Sequence, residues 1–360
     1  MAIDNLHVAV IGCGLIGKRR AAQVAKDPEA KLVYAVDVNQ EHILELQKSY
    51  GCQISTQWEK VISSPEIDAV IISTPNHLLA EIATAAIHHG KHLLVEKPLG
   101  RTAEESQAIL SAAQQSPHFL VLKTGFNHRF HPAISKAKAL VDSGEIGSLF
   151  TIRARYGHGG RPGMEKEWRS SKILCGGGEL LDQGVHLIDL IQWFGGDITS
   201  LYGVVETKFW NIDVEDNGYV IAKTAQDVNA IFHVSWTNWK NIFSFEIFGT
   251  KGYINILGLG GSYGIETLEI GLRNPQGGKP SVSTIEYPGE DISWELEWKE
   301  FKQAIREKRH PLGNGEDGLK ANLAIEAILK SHAEQRLIRL SEDRSKIPKE
   351  DFLTKKVVKR

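Results

Sequence analysis

The chain has 360 residues, with 42 Lys and Arg against 44 Asp and Glu, a net charge of −2 and 42% hydrophobic residues. That balance excludes a general attraction to nucleic acid or to an anionic membrane surface, and no apolar run approaches the ~20 residues of a membrane span. The length suggests two domains, each large enough for a sizeable core. Three scattered cysteines, Cys13, Cys52 and Cys175, have neither disulfide nor zinc-site spacing and read as reduced thiols of a cytoplasmic protein. Asp4 and Asn5 interrupt any apolar run at the start, so no secretory leader is expected.

In chain order, a strand-like run ending at Ile11 meets Gly12, Gly14 and Gly17 at G-x-G-x-x-G spacing, and a helix is predicted from there. Gly12 allows the tight turn, Gly14 lets backbone approach a pyrophosphate, and Gly17 lets helix and strand pack closely. Free N–H groups at the helix start, in the Leu15–Ile16 turn, favour an anion. Lys18, Arg19 and Arg20 add positive charge nearby or are simply solvated. A second strand, Lys31 to Val36, ends at Asp37, 20 residues after Gly17, where a carboxylate accepts from ribose hydroxyls and repels a 2′-phosphate. These features together predict a dinucleotide site that prefers NAD to NADP.

Helical and strand-like segments then alternate: a helix from Glu41 to Tyr50, a strand from Asp68 to Thr74, a helix from Leu78 to His89 ended by Gly90, and a strand from His92 to Val95. Thr102 and Glu105 have capping-box spacing at the start of the next helix, and a strand from Phe119 to Lys123 closes the unit. Alternation of this kind predicts an α/β domain over 1–124 with a parallel, doubly wound sheet. Thr74 to His77 and Glu96 to Pro98 fall at carboxyl ends of strands and are expected to face the cofactor.

Gly125 to Pro132 is the crossover into a second, α+β domain over 125–340, beginning with a helix to about Ser143. Strand-like runs at 148–157, 199–209, 216–225, 228–237, 243–249, 251–257 and 264–273 come without helices between them, which predicts a large, open, mostly antiparallel sheet. Trp236, Trp239, Phe243 and Phe245 are either an exposed oligomer face or bulky core. Helices from Trp294 to Lys308 and Glu316 to Arg336 finish the fold, and the polar stretch 341–360 reads as an extended or disordered tail.

Two segments carry candidate chemistry. A helix from about Glu179 puts Asp182 and His186 four apart on one face, where a carboxylate would orient an imidazole and raise its basicity. Gly176, Gly177 and Gly178 before it leave room for a ligand. Lys97, between Glu96 and Pro98, is placed to hydrogen-bond a substrate hydroxyl or carbonyl. His158 and Arg161, in a glycine-rich loop, and Arg129 and Arg155 are candidates for binding a substrate carboxylate or diphosphate, or are solvated.

The ordered set Gly12-x-Gly14-x-x-Gly17, Glu96-Lys97-Pro98, the Arg129–Phe130 region, Trp168-Arg169 and Gly176-Gly177-Gly178-x-Leu180-x-Asp182-x-Gly184-x-His186 resembles the glucose–fructose oxidoreductase/inositol dehydrogenase/rhizopine (Gfo/Idh/MocA) family over nearly the whole chain. The resemblance implies an N-terminal Rossmann domain and a C-terminal sheet that builds homodimers or homotetramers. It also implies NAD(P)-dependent hydride transfer at a secondary hydroxyl of a sugar, sugar nucleotide or cyclic polyol. Matched position by position, it makes Lys97, Asp182 and His186 catalytic and gives Thr74, Asn76, His77, Glu96, Trp168 and Arg169 cofactor contacts. A redox-type glycoside hydrolase that retains NAD and a non-catalytic NAD(P)-sensing regulator remain the alternatives. The cysteines do not cluster as a zinc alcohol dehydrogenase would require.

Overall fold

In the computed structural model, residues 5–340 are described; the expected tail at 341–360 lies outside them. Strands β1 (Leu6–Ile11), β2 (Ala30–Val36), β3 (Gln53–Ser55), β4 (Ala69–Ile72), β5 (His92–Val95) and β6 (Leu122–Thr124) form a parallel sheet in the order β3-β2-β1-β4-β5-β6. This is the doubly wound order, with its crevice where the sequence of strands reverses between β1 and β4. All four residues of β4 are buried, as a strand covered on both faces requires. Helices α1 (Leu15–Lys26), α2 (Gln40–Tyr50), α3 (Trp58–Ile62), α4 (Leu79–His88) and α5 (Ala103–Gln115) supply the covering layers. Thr102 caps α5 by accepting from the Glu105 N–H at 3.1 Å. The Glu105 carboxylate does not complete the box; it accepts from the Arg101 N–H and guanidinium instead.

After α6 (Pro132–Asp142), strand β7 (Leu149–Gly157) opens a nine-stranded sheet. The short helix α7 (Lys172–Cys175) and the long α8 (Val185–Gly195) follow. Strands β8 (Ile198–Glu206), β9 (Asn217–Thr224), β10 (Asn229–Ser235), β11 (Ile242–Gly249), β12 (Gly252–Leu257), β13 (Glu266–Leu272) and β14 (Ser281–Tyr287) complete most of the sheet. Helices α9 (Ser293–Glu307) and α10 (Gly315–Glu334) and the two-residue β15 (Ile338–Arg339) end the described chain. The order is β14-β13-β12-β11-β7-β10-β9-β8-β15, with β7 and β10 parallel and every other pair antiparallel.

Period-two alternation in β10 buries Ala230, Phe232 and Val234 against the core that α8 and α10 cover, and leaves Ile231 outside. The aromatics singled out as a possible outer face divide unevenly. Trp236, Phe243 and Phe245 are buried, because their register points them inward, and only Trp239 is exposed. The outer face is carried instead by Tyr219, Ile221 and Ile231, with Ile221 directly opposite Ile231 and the Tyr219 ring stacked on His233 at 4.4 Å.

Helix α9 returns to the first sheet, where Trp298, Phe301, Ala304 and Ile305 pack with Val8, Val10, Ala21, Val24 and Leu94. Its Glu297 is wholly buried and pairs with Arg20 of α1 at 2.5 Å and Lys123 of β6 at 3.3 Å; Arg20 also pairs with Glu96 at 2.6 Å. Arg20 is therefore not a solvated helix charge, as was one reading of the sequence, but the centre of a buried ionic cluster, with the Trp294 ring 4.5 Å from its guanidinium. Removing one anion from such a cluster strands buried cations, so Glu297→Ala should cost about 3–5 kcal/mol of stability in chemical denaturation. Loss within the few tenths of a kcal/mol typical of surface substitutions would refute that role.

Candidate active site

The turn after β1 has the geometry a dinucleotide needs. Gly12 has φ +87°, and a Cβ there would lie 2.6 Å from the Ser73 and Thr74 backbone; a Cβ on Gly17 would lie 1.9 Å from the Gly12 carbonyl oxygen. Gly14 faces open space and begins α1 with no side chain capping its free N–H groups, and the neighbouring Leu15 is 71% exposed. Asp37, at the end of β2, accepts from the Cys13 N–H at 2.6 Å and the Asn39 N–H at 2.8 Å, which fixes its carboxylate beside the loop. Across the crevice, Thr74 Oγ1 and His77 Nδ1 are buried without a hydrogen-bond partner among the described residues. Orphaned polar atoms beside an uncapped helix start are the signature of a site that a polar ligand completes, and NAD fits it.

Two links join this crevice to the second sheet. Asn76 Nδ2 donates to the Cys175 carbonyl at 2.8 Å. Lys97, just beyond β5, sends its Nζ to both the carbonyl and the Oδ1 of Asp182 at 2.6 Å. Burial opposes ionisation of Asp182, but Lys97, then Arg169 and His158, outweigh it and hold the carboxyl down at about 2. Asp182 is thus a carboxylate across the neutral range.

Asp182 lies in a π-helical turn, Leu180–Gly184, that leads into α8. His186 lies in the first turn of α8, and no hydrogen bond joins Asp182 to His186 among the described residues. That expectation is corrected: Asp182 orients Lys97 and not the imidazole. His186 is buried, and its ring lies against His128 with centroids 3.7 Å apart and planes 24° from parallel. Burial, then the like charges of Lys97 and His131, push His186 well below the ordinary histidine range, so its ring is neutral near pH 7.

Gly176, Gly177 and Gly178 do not leave room for a ligand. A Cβ on Gly178 would lie 1.9 Å from the Glu215 carbonyl oxygen and one on Gly176 would lie 2.8 Å from Arg101, so these glycines permit close chain packing. Glu215 Oε1 pins the segment by accepting from the Gly178 N–H at 2.9 Å.

Two of the three expected anion-binding arginines, Arg129 and Arg161, are already paired with carboxylates. Arg129 is buried in a two-pronged pair with Asp189, at 2.9 and 2.5 Å, and reaches Asp317 at 3.3 Å. Arg161 pairs in the same way with Glu167 on the surface, and Arg155 donates to Ser244. Glu96, expected to face the cofactor, is taken by Arg20. His158 does approach the site: its Nδ1 accepts from the Gly160 N–H at 2.9 Å, and its charge would act on Asp182. Trp168 and Arg169 form one short helical turn there, with the Arg169 guanidinium 4.5 Å from the Trp168 ring.

His128 and Tyr156 were not picked from the sequence. The inward register of Tyr156 in β7 was the available signal for one, while nothing in the local pattern marks His128.

Residues 6–123 match the family model described as an oxidoreductase family with an NAD-binding Rossmann fold, and residues 134–255 match a Gfo/Idh/MocA C-terminal domain. The levoglucosan dehydrogenase of Pseudarthrobacter phenanthrenivorans is 31% identical over 291 residues, spanning 70% of this chain and 73% of that one. The inositol 2-dehydrogenase of Rhizobium meliloti is 25% identical over 344 residues, spanning 94% and 100%. The solved structure of levoglucosan dehydrogenase in complex with NADH and levoglucosan superposes with a TM-score of 0.85 at 27% identity, covering 93% of this chain and 99% of that one. With both halves matched in sequence and nearly the whole fold shared, the chain belongs to the Gfo/Idh/MocA oxidoreductase family.

Proposed function

We propose that Lys97, Asp182 and His186 perform the proton and charge work of an NAD-dependent oxidation or reduction at a secondary hydroxyl of a sugar or cyclic polyol. The observation that carries this reading is the Lys97–Asp182 pair, held at the mouth of the dinucleotide crevice beside a neutral, buried imidazole. NAD, when bound, exchanges the hydride. Gly12, Gly14, Leu15, Ile16 and Gly17 would hold its diphosphate, Asp37 would take the ribose hydroxyls, and Thr74, Asn76 and His77 would face the rest of the cofactor.

Lys97 donates to the reacting oxygen and stabilises negative charge as it develops, an effect that is strong where water is excluded. Asp182 holds the ammonium in place. His186 accepts the hydroxyl proton on Nε2, since Nδ1 is the enclosed nitrogen. His158, Trp168 and Arg169 border the substrate. Arg129 and Arg161, already paired with carboxylates, are not available to a uronate or sugar diphosphate. We place the protein in the cytoplasm, in keeping with its three unpaired, buried thiols, as a homodimer or homotetramer formed through Tyr219, Ile221 and Ile231.

Lys97→Ala and His186→Ala should each slow single-turnover hydride transfer by ~10²–10⁴-fold, read from reduced-nicotinamide absorbance, while NAD affinity stays near wild type. Near-wild-type transfer in both would overturn the assignment. Because His186 is held below its ordinary value of 6.5, the acid limb of kcat/KM should fall below that pH, and a limb at or above it would contradict a buried neutral base. Asp37→Ser should weaken NAD roughly 10- to 100-fold, the loss expected for hydrogen bonds to a charged group, without weakening NADP. Equal loss for both cofactors in titration would remove Asp37 from the ribose.

A further inference from the structure

Among the described residues no carboxylate bonds the His186 ring, and what holds it is packed against its faces and edge. His128 stacks on it at 3.7 Å, Phe126 meets it edge-on at 6.2 Å, and Tyr156 lies at 6.3 Å. His128 is itself fixed at both nitrogens: Nδ1 lies 3.1 Å from Asn127 Oδ1 and Nε2 lies 3.1 Å from the Tyr156 hydroxyl. The Asn127 amide turns its Nδ2 to Ser293 Oγ at 2.9 Å, leaving Oδ1, which can only accept, for His128. In this orientation His128 carries its proton on Nδ1, and Nε2 accepts from the Tyr156 O–H. Both nitrogens are occupied and the ring is uncharged.

We propose that His128 is the positioning residue for His186: its locked, neutral ring sets the plane of the base and lets the stacked pair take up one proton only, that of the substrate, on His186. The inference rests on the reading of His186 as proton acceptor. Every ionisable group facing the pair is consistent with a single added charge. Lys97 is already positive and held by Asp182, and His131 stands 5.5 Å from His128 with Glu266 at 3.1 Å and Asp291 at 3.9 Å on its far side. Tyr156 contributes only a hydroxyl, which also shares a hydrogen bond with the Tyr263 hydroxyl; Tyr263 in turn accepts from Gln183 Nε2 at 3.0 Å, which leaves its own O–H free to donate to the Tyr156 oxygen. Two imidazolium rings face to face in a buried pocket repel, so a proton on His128 would block the one His186 must accept.

The test is single-turnover hydride transfer across pH with a sugar or inositol substrate that the wild-type enzyme oxidises. His128→Ala removes the face and should slow transfer by about 10²-fold, as small misplacements of a catalytic group do, whereas His128→Phe keeps a flat ring and should retain most of the rate. Tyr156→Phe frees His128 Nε2 to protonate, so activity should be lost at a higher pH than in wild type. That shift should vanish in the Tyr156→Phe/His128→Phe double variant, an outcome a merely structural role would not produce. If His128→Ala fails to fold, the two Tyr156 variants still decide. A wild-type rate in His128→Ala, or an unmoved acid limb in Tyr156→Phe, overturns the proposal. If His186→Ala itself transfers hydride at the wild-type rate, it is the proton-acceptor reading that fails.

Discussion

The contact on which the site depends is the ion pair between Lys97 and Asp182. Its partners are 85 residues apart: Lys97 lies just beyond the carboxyl end of β5, and Asp182 in the π-helical turn that leads into α8. A lysine at that edge would otherwise have several rotatable bonds and a hydration shell. Two short bonds to one residue fix its ammonium and place a full positive charge next to the dinucleotide crevice. The same contact fastens the crevice to the wall on which the imidazole sits.

Charge is arranged so that most of it cancels before a substrate arrives. Arg129 is matched by Asp189, Arg161 by Glu167, and Arg20 by Glu96 and Glu297. Around the two stacked neutral imidazoles stand the Lys97–Asp182 pair, His131 with Glu266, and the Arg169 guanidinium, whose charge acts on Asp182. Burial pushes both rings below the ordinary histidine range, and Lys97 reinforces the effect on each. Glu179 behaves in the opposite sense: it is wholly buried, and burial, then the neighbouring Asp182 charge, push its carboxyl well above the usual range, so it adds no second negative charge beside the pair.

Several elements were legible because their cause is local. The glycine spacing after β1 follows from one tight turn, and Asp37 follows from where β2 must end. Alternation in β9 and β10 follows from a sheet covered on one side. Strand β14 was missed because it is an exposed edge strand of mixed polarity after a Pro- and Gly-containing turn, with no buried face to impose a pattern. The bond expected between Asp182 and His186 is absent among the described residues because the Asp182 carboxylate is taken by Lys97, a residue 85 positions away that local spacing does not reveal.

Sequence alone determined the doubly wound unit, the cofactor preference, the mostly antiparallel sheet and the identity of Lys97, Asp182 and His186 as residues of interest, since each is written in short-range periodicity or in residues within one turn of each other. Only the tertiary structure decided which of them touch. That Asp182 bonds the lysine, that His128 covers His186, and that Arg20, Arg129 and Glu96 are taken up in buried ion pairs all depend on contacts between residues far apart in the chain. Such contacts are selected by packing and by the high cost of an unpaired buried charge, and neither quantity exists until the two sheets are brought together.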